Sequence, residues 1–234
     1  MSAKTNAILN TLGLLVVLAM NALANILPIN GYNTGQISGF YPNYFVPAGF
    51  TFGIWSIIYF MLIGFVVCSV AATGKKMDTS AKEAIGLISP LFQLTCLLNA
   101  GWIVLWHYLY LGASFIVMII FLVLLILLYL RMYSSKKALS PFLRFWIYHS
   151  FVVYLGWICV ATIASATALF VGIGWQGSPL DPKVWSIILI VIALLLGIFF
   201  VGKRKEPAFG FVLSWAFFGI SVHLSKMCRQ YFGF

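Results

Sequence analysis

The sequence predicts an all-α integral membrane protein with seven transmembrane helices. Three observations carry the prediction. Of the 234 residues, 63% are hydrophobic and only 8% are charged, where soluble domains carry roughly 25%; so few charges cannot cover a globule of this size in water. Seven apolar runs have the length, about 20 residues, that a helix needs to cross the hydrocarbon core. The 14 Lys and Arg residues collect between those runs, as they do in loops on a cytoplasmic face.

The first span covers about 7–28 and follows Lys4. Lys4, the apolar run and Ala22-Leu23-Ala24 also imitate a cleavable signal peptide; Asn21 and Asn25 in its final turns favour a retained helix. A long uncharged loop over about 29–48 leads to the second span, 49–72, which Lys75, Lys76 and Lys82 follow. Met77-Asp-Thr-Ser-Ala-Lys-Glu reads as a short interfacial helix start capped by Asp78 or Ser80. The third and fourth spans, 84–108 and 112–131, are parted only by Leu111-Gly112-Ala113 and form a tight hairpin. Arg131, Lys136, Lys137 and Arg144 precede the fifth, 145–172. The turn-rich stretch 174–182 is the seam before the sixth, 184–202. Lys203, Arg204 and Lys205 then lead to the seventh, 207–224, the weakest, with Ser214, Ser221 and His223. Alternating spans put nearly all the basic residues on one side. That side reads as cytoplasmic, with the N-terminus there and the C-terminus on the opposite side.

Several function classes are disfavoured. The net charge of +10 does not form the single exposed basic face that nucleic acid requires, so no nucleic-acid partner is expected. Cys68, Cys96, Cys159 and Cys228 lack metal spacing and read as small buried thiols. Asp78, Glu83, Asp181 and Glu206, the only acids, fall in loops or at helix ends. With no ionisable acid or base at mid-depth, ion- or proton-coupled transport is disfavoured. A retinal Schiff base lacks its lysine. Metal hydrolysis lacks a ligand cluster, and Ser-His-Asp catalysis lacks its acid. The balance leans away from an enzyme, and no cofactor is required. His107 and His223 near the outer boundary read as interfacial imidazoles, with haem ligation the sharper alternative; His149 reads as an anchor.

What remains at depth is neutral or aromatic: Asn21, Asn25, Gln93, Asn99, Thr162, Ser165 and Thr167. At 1.5 Å per residue, Trp55, Asn99, Trp102, Ala161, Thr162 and Ser165 share a layer about 10–17 Å below the outer boundary. Asn99, Trp102 and Trp106 fall on one face of the third helix. Trp146, Trp175 and Trp185 fit an interfacial belt, and Trp106 fits either role. Trp55, Trp102 and Trp157 lie deeper than a belt, and a buried indole N–H needs a partner, for which Asn99 is a candidate. Small residues four apart, at Gly49 and Gly53, at Ala161 and Ser165, and at Ala164, Ala168 and Gly172, permit close helix approach or leave a cavity.

Three motifs in order carry a family resemblance. Trp55-Ser-Ile-Ile-Tyr59 after Pro47-Ala-Gly, Asn99-Ala-Gly-Trp102, and Tyr154-Leu-Gly-Trp157-Ile-Cys-Val-Ala161-Thr162 resemble the translocator protein / tryptophan-rich sensory protein family over about 7–172. The resemblance implies a five-helix translocator-like core over 1–174, with 175–234 adding two C-terminal helices. It implies a pocket for tetrapyrroles such as protoporphyrin, sterols or benzodiazepine-like drugs, closed by the loop after the first helix, and a homodimer as the usual assembly. The implied ligand-binding residues are Trp55, Asn99, Trp102, Trp157, Ala161, Thr162, Asn25, Pro47 and Phe52, with the 29–48 loop as lid. The sequence departs from the family at Pro47-Ala-Gly-Phe50, where a Pro-Pro-x-Trp approach is usual. It also lacks the sterol-recognition pattern at the end of the fifth helix. The function expected is a membrane receptor or carrier of a planar apolar molecule; the alternatives are a transporter of a neutral solute or lipid, and an assembly subunit.

Overall fold

The computed structural model describes residues 1–175 and 181–232, with side chains described through residue 229. The elements are α1 (Ala3–Asn25), the short α2 (Thr34–Gly39), α3 (Gly49–Ala71), α4 (Thr79–His107), α5 (Leu111–Tyr133), α6 (Pro141–Gly172), α7 (Pro182–Lys203) and α8 (Pro207–Phe232). All but α2 are long and apolar enough to cross a membrane. Most of the turn-rich seam expected over 174–182 lies outside the described residues.

Five helices close a ring in the order α1, α3, α6, α5, α4. α8 packs outside it on α6, and α7 lies mainly on α8. α6 is therefore covered on two sides, and its residues over 147–160 are buried almost without a break apart from His149. Its Gly156 lets α8 close in: a Cβ there would sit 3.2 Å from Val212.

The 29–48 connection is more ordered than a loop. Asn33 caps α2 and forms a reciprocal capping box with Gln36, both bonds 2.9 Å. Asn43 Oδ1 accepts from the backbone N–H groups of Phe45 (2.9 Å) and Val46 (3.0 Å), a side-chain turn that fixes the approach to α3. Two expected boundaries shift. The interfacial start at 77–83 merges into α4, a single 29-residue helix with Asp78 at its N-cap. The α4–α5 turn falls at 108–110, with Leu109 left-handed (φ 61°) and the Tyr110 N–H bonded back to the Leu105 carbonyl at 2.9 Å; Leu111 is already helical.

The uncharged interior holds a polar knot that the sequence reading passed over. Asn10 donates to Ser69 (2.9 Å) and Ser89 (2.8 Å) and accepts from Gln93 (3.0 Å), tying α1, α3 and α4 together. Its polar atoms are paired as burial in lipid requires. Trp146 is not a free interfacial anchor. Its ring lies across Gly64, where a Cβ would come within 1.9 Å of the indole. Glu206 stands directly before α8, at a helix end as expected, yet it is 1% exposed. It accepts hydrogen bonds from Lys136 Nζ and the Tyr148 hydroxyl, clamping the start of α8 to the α5–α6 connection. π-helical turns at Phe145–His149 and Ile198–Lys203 flank this clamp. Cys68, Cys96 and Cys159 are free and buried; Cys228 is free and exposed.

Candidate functional site

At the end of the bundle away from the Lys- and Arg-rich loops, three helices aim aromatic side chains inward. On α3, Trp55 and Tyr59 are four residues apart and stack with centroids 5.4 Å apart and planes at 19°. On α4, Trp102 and Trp106 do the same at 5.9 Å and 19°. On α6, Tyr154 and Trp157 are three apart. These are the spacings that put side chains on one helical face. Trp55 is the hub, 6.3 Å from Trp102, 6.2 Å from Trp157 and 5.8 Å from Tyr154. Phe52 meets Trp157 edge-on at 5.9 Å. α2 closes the top: Trp106 Nε1 donates to the Thr34 carbonyl at 3.3 Å. Tyr41 packs near the same indole at 6.4 Å, and burial pushes its phenol above the ordinary value.

The open space is not where the sequence placed it. Pro47, Phe52, Trp55, Trp102, Trp157 and Ala161 do come together, but they enclose only about 20 Å³, room for a single water. The rings fill the centre by packing on each other. A much larger cavity of about 510 Å³ lies beside them, between α1, α2 and the head of α3, a volume ordinary for small-molecule sites. Asn21, Asn25, Thr34, Ser56 and Tyr59 line it, and Phe52 and Trp55 are walls common to both spaces.

Two predicted residues are placed otherwise. Asn99 is fully buried, accepting from Asn21 Nδ2 (3.0 Å) and donating to the Tyr154 hydroxyl (3.3 Å). It ties α1, α4 and α6 together and is not the partner of an indole. Thr162 faces a different groove, between α5 and α7, and its hydroxyl bonds the Ile158 carbonyl of its own helix at 2.6 Å. Asn25 sits at the rim of the large cavity, its amide donating to the Asn21 carbonyl at 2.9 Å. His107 is not a half-wet imidazole: it is fully buried, with Nδ1 2.8 Å from the Ile103 carbonyl. Among the described residues no three His, Cys, Asp or Glu side chains gather to hold a metal.

The site's polar balance is incomplete. The indole N–H groups of Trp102 and Trp157 are buried without hydrogen-bond partners. Such groups cost free energy unless something pairs with them. Sequence reasoning missed Tyr59, although its position four residues after Trp55 was the available signal. Ser56 and Thr34 carried no comparable mark.

It also missed the support that α8 lends. The Ala48 N–H donates to the Gly219 carbonyl (3.0 Å) and Trp215 Nε1 to the Thr51 carbonyl (2.9 Å). Phe50 lies against Trp215 and Phe218, at 5.6 and 5.8 Å. The segment that opens α3 is thus docked on the last helix. Gly219 makes this possible, since a Cβ there would stand 2.0 Å from Thr51 Oγ1. Gly219→Ala is expected to cost about 1–3 kcal/mol, the usual penalty of overpacking. Thermal unfolding of the purified variant in detergent measures it, and an unchanged midpoint would show that the segment yields freely.

A family model described as TSPO-like protein matches residues 7–230. No curated protein and no solved structure gives a significant match. The family match runs through α7 and into the end of α8, so the helices outside the five-membered ring lie within it. With nearly its whole length matched, this chain belongs to the TSPO-like protein family and is a multi-pass membrane protein.

Proposed function

We propose that this protein is a membrane receptor or carrier for a planar, largely apolar small molecule bearing hydrogen-bond acceptors, with a tetrapyrrole such as protoporphyrin the leading class. Family membership supports a receptor- or transporter-type role in general. The observation that carries the finer reading is the aromatic wall of Phe52, Trp55 and Tyr59 on a cavity of about 510 Å³, with the unpaired indole N–H groups of Trp102 and Trp157 in the cluster behind it. Aromatic rings favour flat partners at offset or edge contacts. Acceptors on a ligand that enters past Phe52 and Trp55, the walls common to both spaces, would satisfy the two indole donors that the protein leaves bare. Asn21, Asn25 and Thr34 at the rim suit the ligand's polar edge.

Titration of the purified full-length protein with protoporphyrin, followed by tryptophan fluorescence, tests this. Saturable quenching is expected, with Trp102→Phe binding roughly 3–10-fold more weakly for the loss of one hydrogen bond. Quenching that never saturates would remove this ligand class.

We further propose that the basic end faces the cytoplasm, which puts the lid and the large cavity on the other side, with the N-terminus inside and the C-terminus outside. The support is the charge distribution. Topology reporters fused after residue 138 and at the C-terminus are expected to report opposite sides; the same side for both would refute the arrangement.

A further inference from the structure

We propose that the groove between α5, α6 and α7 holds one anionic phospholipid, its acyl chain lying along the groove and its phosphate meeting Arg204. The groove has a volume of about 340 Å³, with walls such as Leu122, Ile126, Leu155, Ile192 and Leu196. Thr162 adds no free polar group, because its hydroxyl is spent on the Ile158 carbonyl. From Leu122 to Leu130 on α5 the groove runs about 12 Å at the helical rise, close to one leaflet's half of a hydrocarbon core about 30 Å thick.

Its polar end is what selects a headgroup. Arg204 follows directly on the end of α7, at the Lys- and Arg-rich boundary, and lines the groove's end beside Tyr129. Its guanidinium lies 4.7 Å from the Tyr133 ring centre and 5.4 Å from that of Phe199, so it is positioned by rings and not by an acid. The nearby carboxylate, Glu206, is buried and already committed to Lys136 and Tyr148. A fixed cation at the mouth of a hydrocarbon groove matches a phosphodiester. Lys203 and Lys205 adjoin Arg204 in sequence, and among the described residues that line the groove there is no carboxylate to take a choline or ethanolamine cation. A headgroup with net negative charge therefore fits and a zwitterionic one does not. The site lies on the face of α6 opposite Trp157 and Ala161, and it is independent of the ligand proposed above.

Native mass spectrometry of delipidated full-length protein, titrated with phosphatidylglycerol or phosphatidylcholine of identical chains, tests the proposal. The wild type is expected to retain one phosphatidylglycerol in preference to phosphatidylcholine. Arg204→Gln should lower that retention roughly fivefold, the effect of one basic residue at an anionic surface, while Arg204→Lys keeps the preference. Ile126→Trp, which fills the groove, should remove the bound lipid whatever its headgroup. Arg131→Gln, a basic residue bonded to the Leu87 carbonyl on another face, should change nothing. Equal retention of the two lipids by the wild type would overturn the proposal, as would an undiminished preference in Arg204→Gln. A dimer mass replacing the lipid adduct would assign the groove to a second copy of the chain.

Discussion

Lys136→Ala is expected to destabilise the folded bundle by about 3 kcal/mol, the low end of the range for removing one partner of a buried ion pair. The low end applies because the Lys136 side chain is 17% exposed, whereas that of Glu206 is 1% exposed. The alanine leaves Glu206 with the Tyr148 hydroxyl alone, and a carboxylate out of water with no cation is poorly tolerated. Replacing both members, as Lys136→Met with Glu206→Leu, should recover most of the loss, since apolar side chains of similar volume need no pairing. Tyr148→Phe removes a hydrogen bond to a charged group and should cost about 1.5–3 kcal/mol. Unfolding midpoints in detergent for the three variants check this. A Lys136→Ala protein as stable as wild type, or a double variant less stable than the single, would contradict the clamp.

Trp157 separates packing from hydrogen bonding. It is among the largest fully buried side chains, and Trp157→Ala is expected to cost about 3–5 kcal/mol through lost contacts and the cavity left behind. Trp157→Phe should cost far less, about 1 kcal/mol, because much of the ring is kept and the deleted N–H has no partner to lose. The same Phe variant should bind protoporphyrin more weakly if that N–H serves the ligand. Unfolding midpoints measure the first pair of effects and fluorescence titration the last. A Phe variant as unstable as the Ala variant would mean that the indole N–H has a partner in the folded protein.

The spans were legible because lipid imposes one local requirement, that each crossing segment be apolar and satisfy its own backbone. The aromatic faces were legible for a related reason: Trp102 and Trp106, or Tyr154 and Trp157, share a face by spacing alone. The partner of Asn99 was not legible. It depended on Asn21, 78 residues away in sequence, arriving at the same depth on a neighbouring helix. Nor was the face of Thr162: it stands one residue after Ala161, and that single step turned it from the indole cluster to the lipid groove. Glu206 looked like a loop or helix-end acid because its burial is created by α5, α6 and α8 together. The service of α8 to the head of α3 hung on a contact between Gly219 and Thr51 that no local pattern announces.

By itself the sequence determined the solvent of each segment, the seven crossings and the helix faces that carry indoles and amides. Those properties follow from side-chain transfer energies and the helical repeat, which act over one or two turns. Only the tertiary structure decided how much room remained between the faces: about 20 Å³ among the indoles and about 510 Å³ beside α1. Empty volume is the small remainder after close-packed side chains from several distant helices have met, and no single stretch of chain contains it.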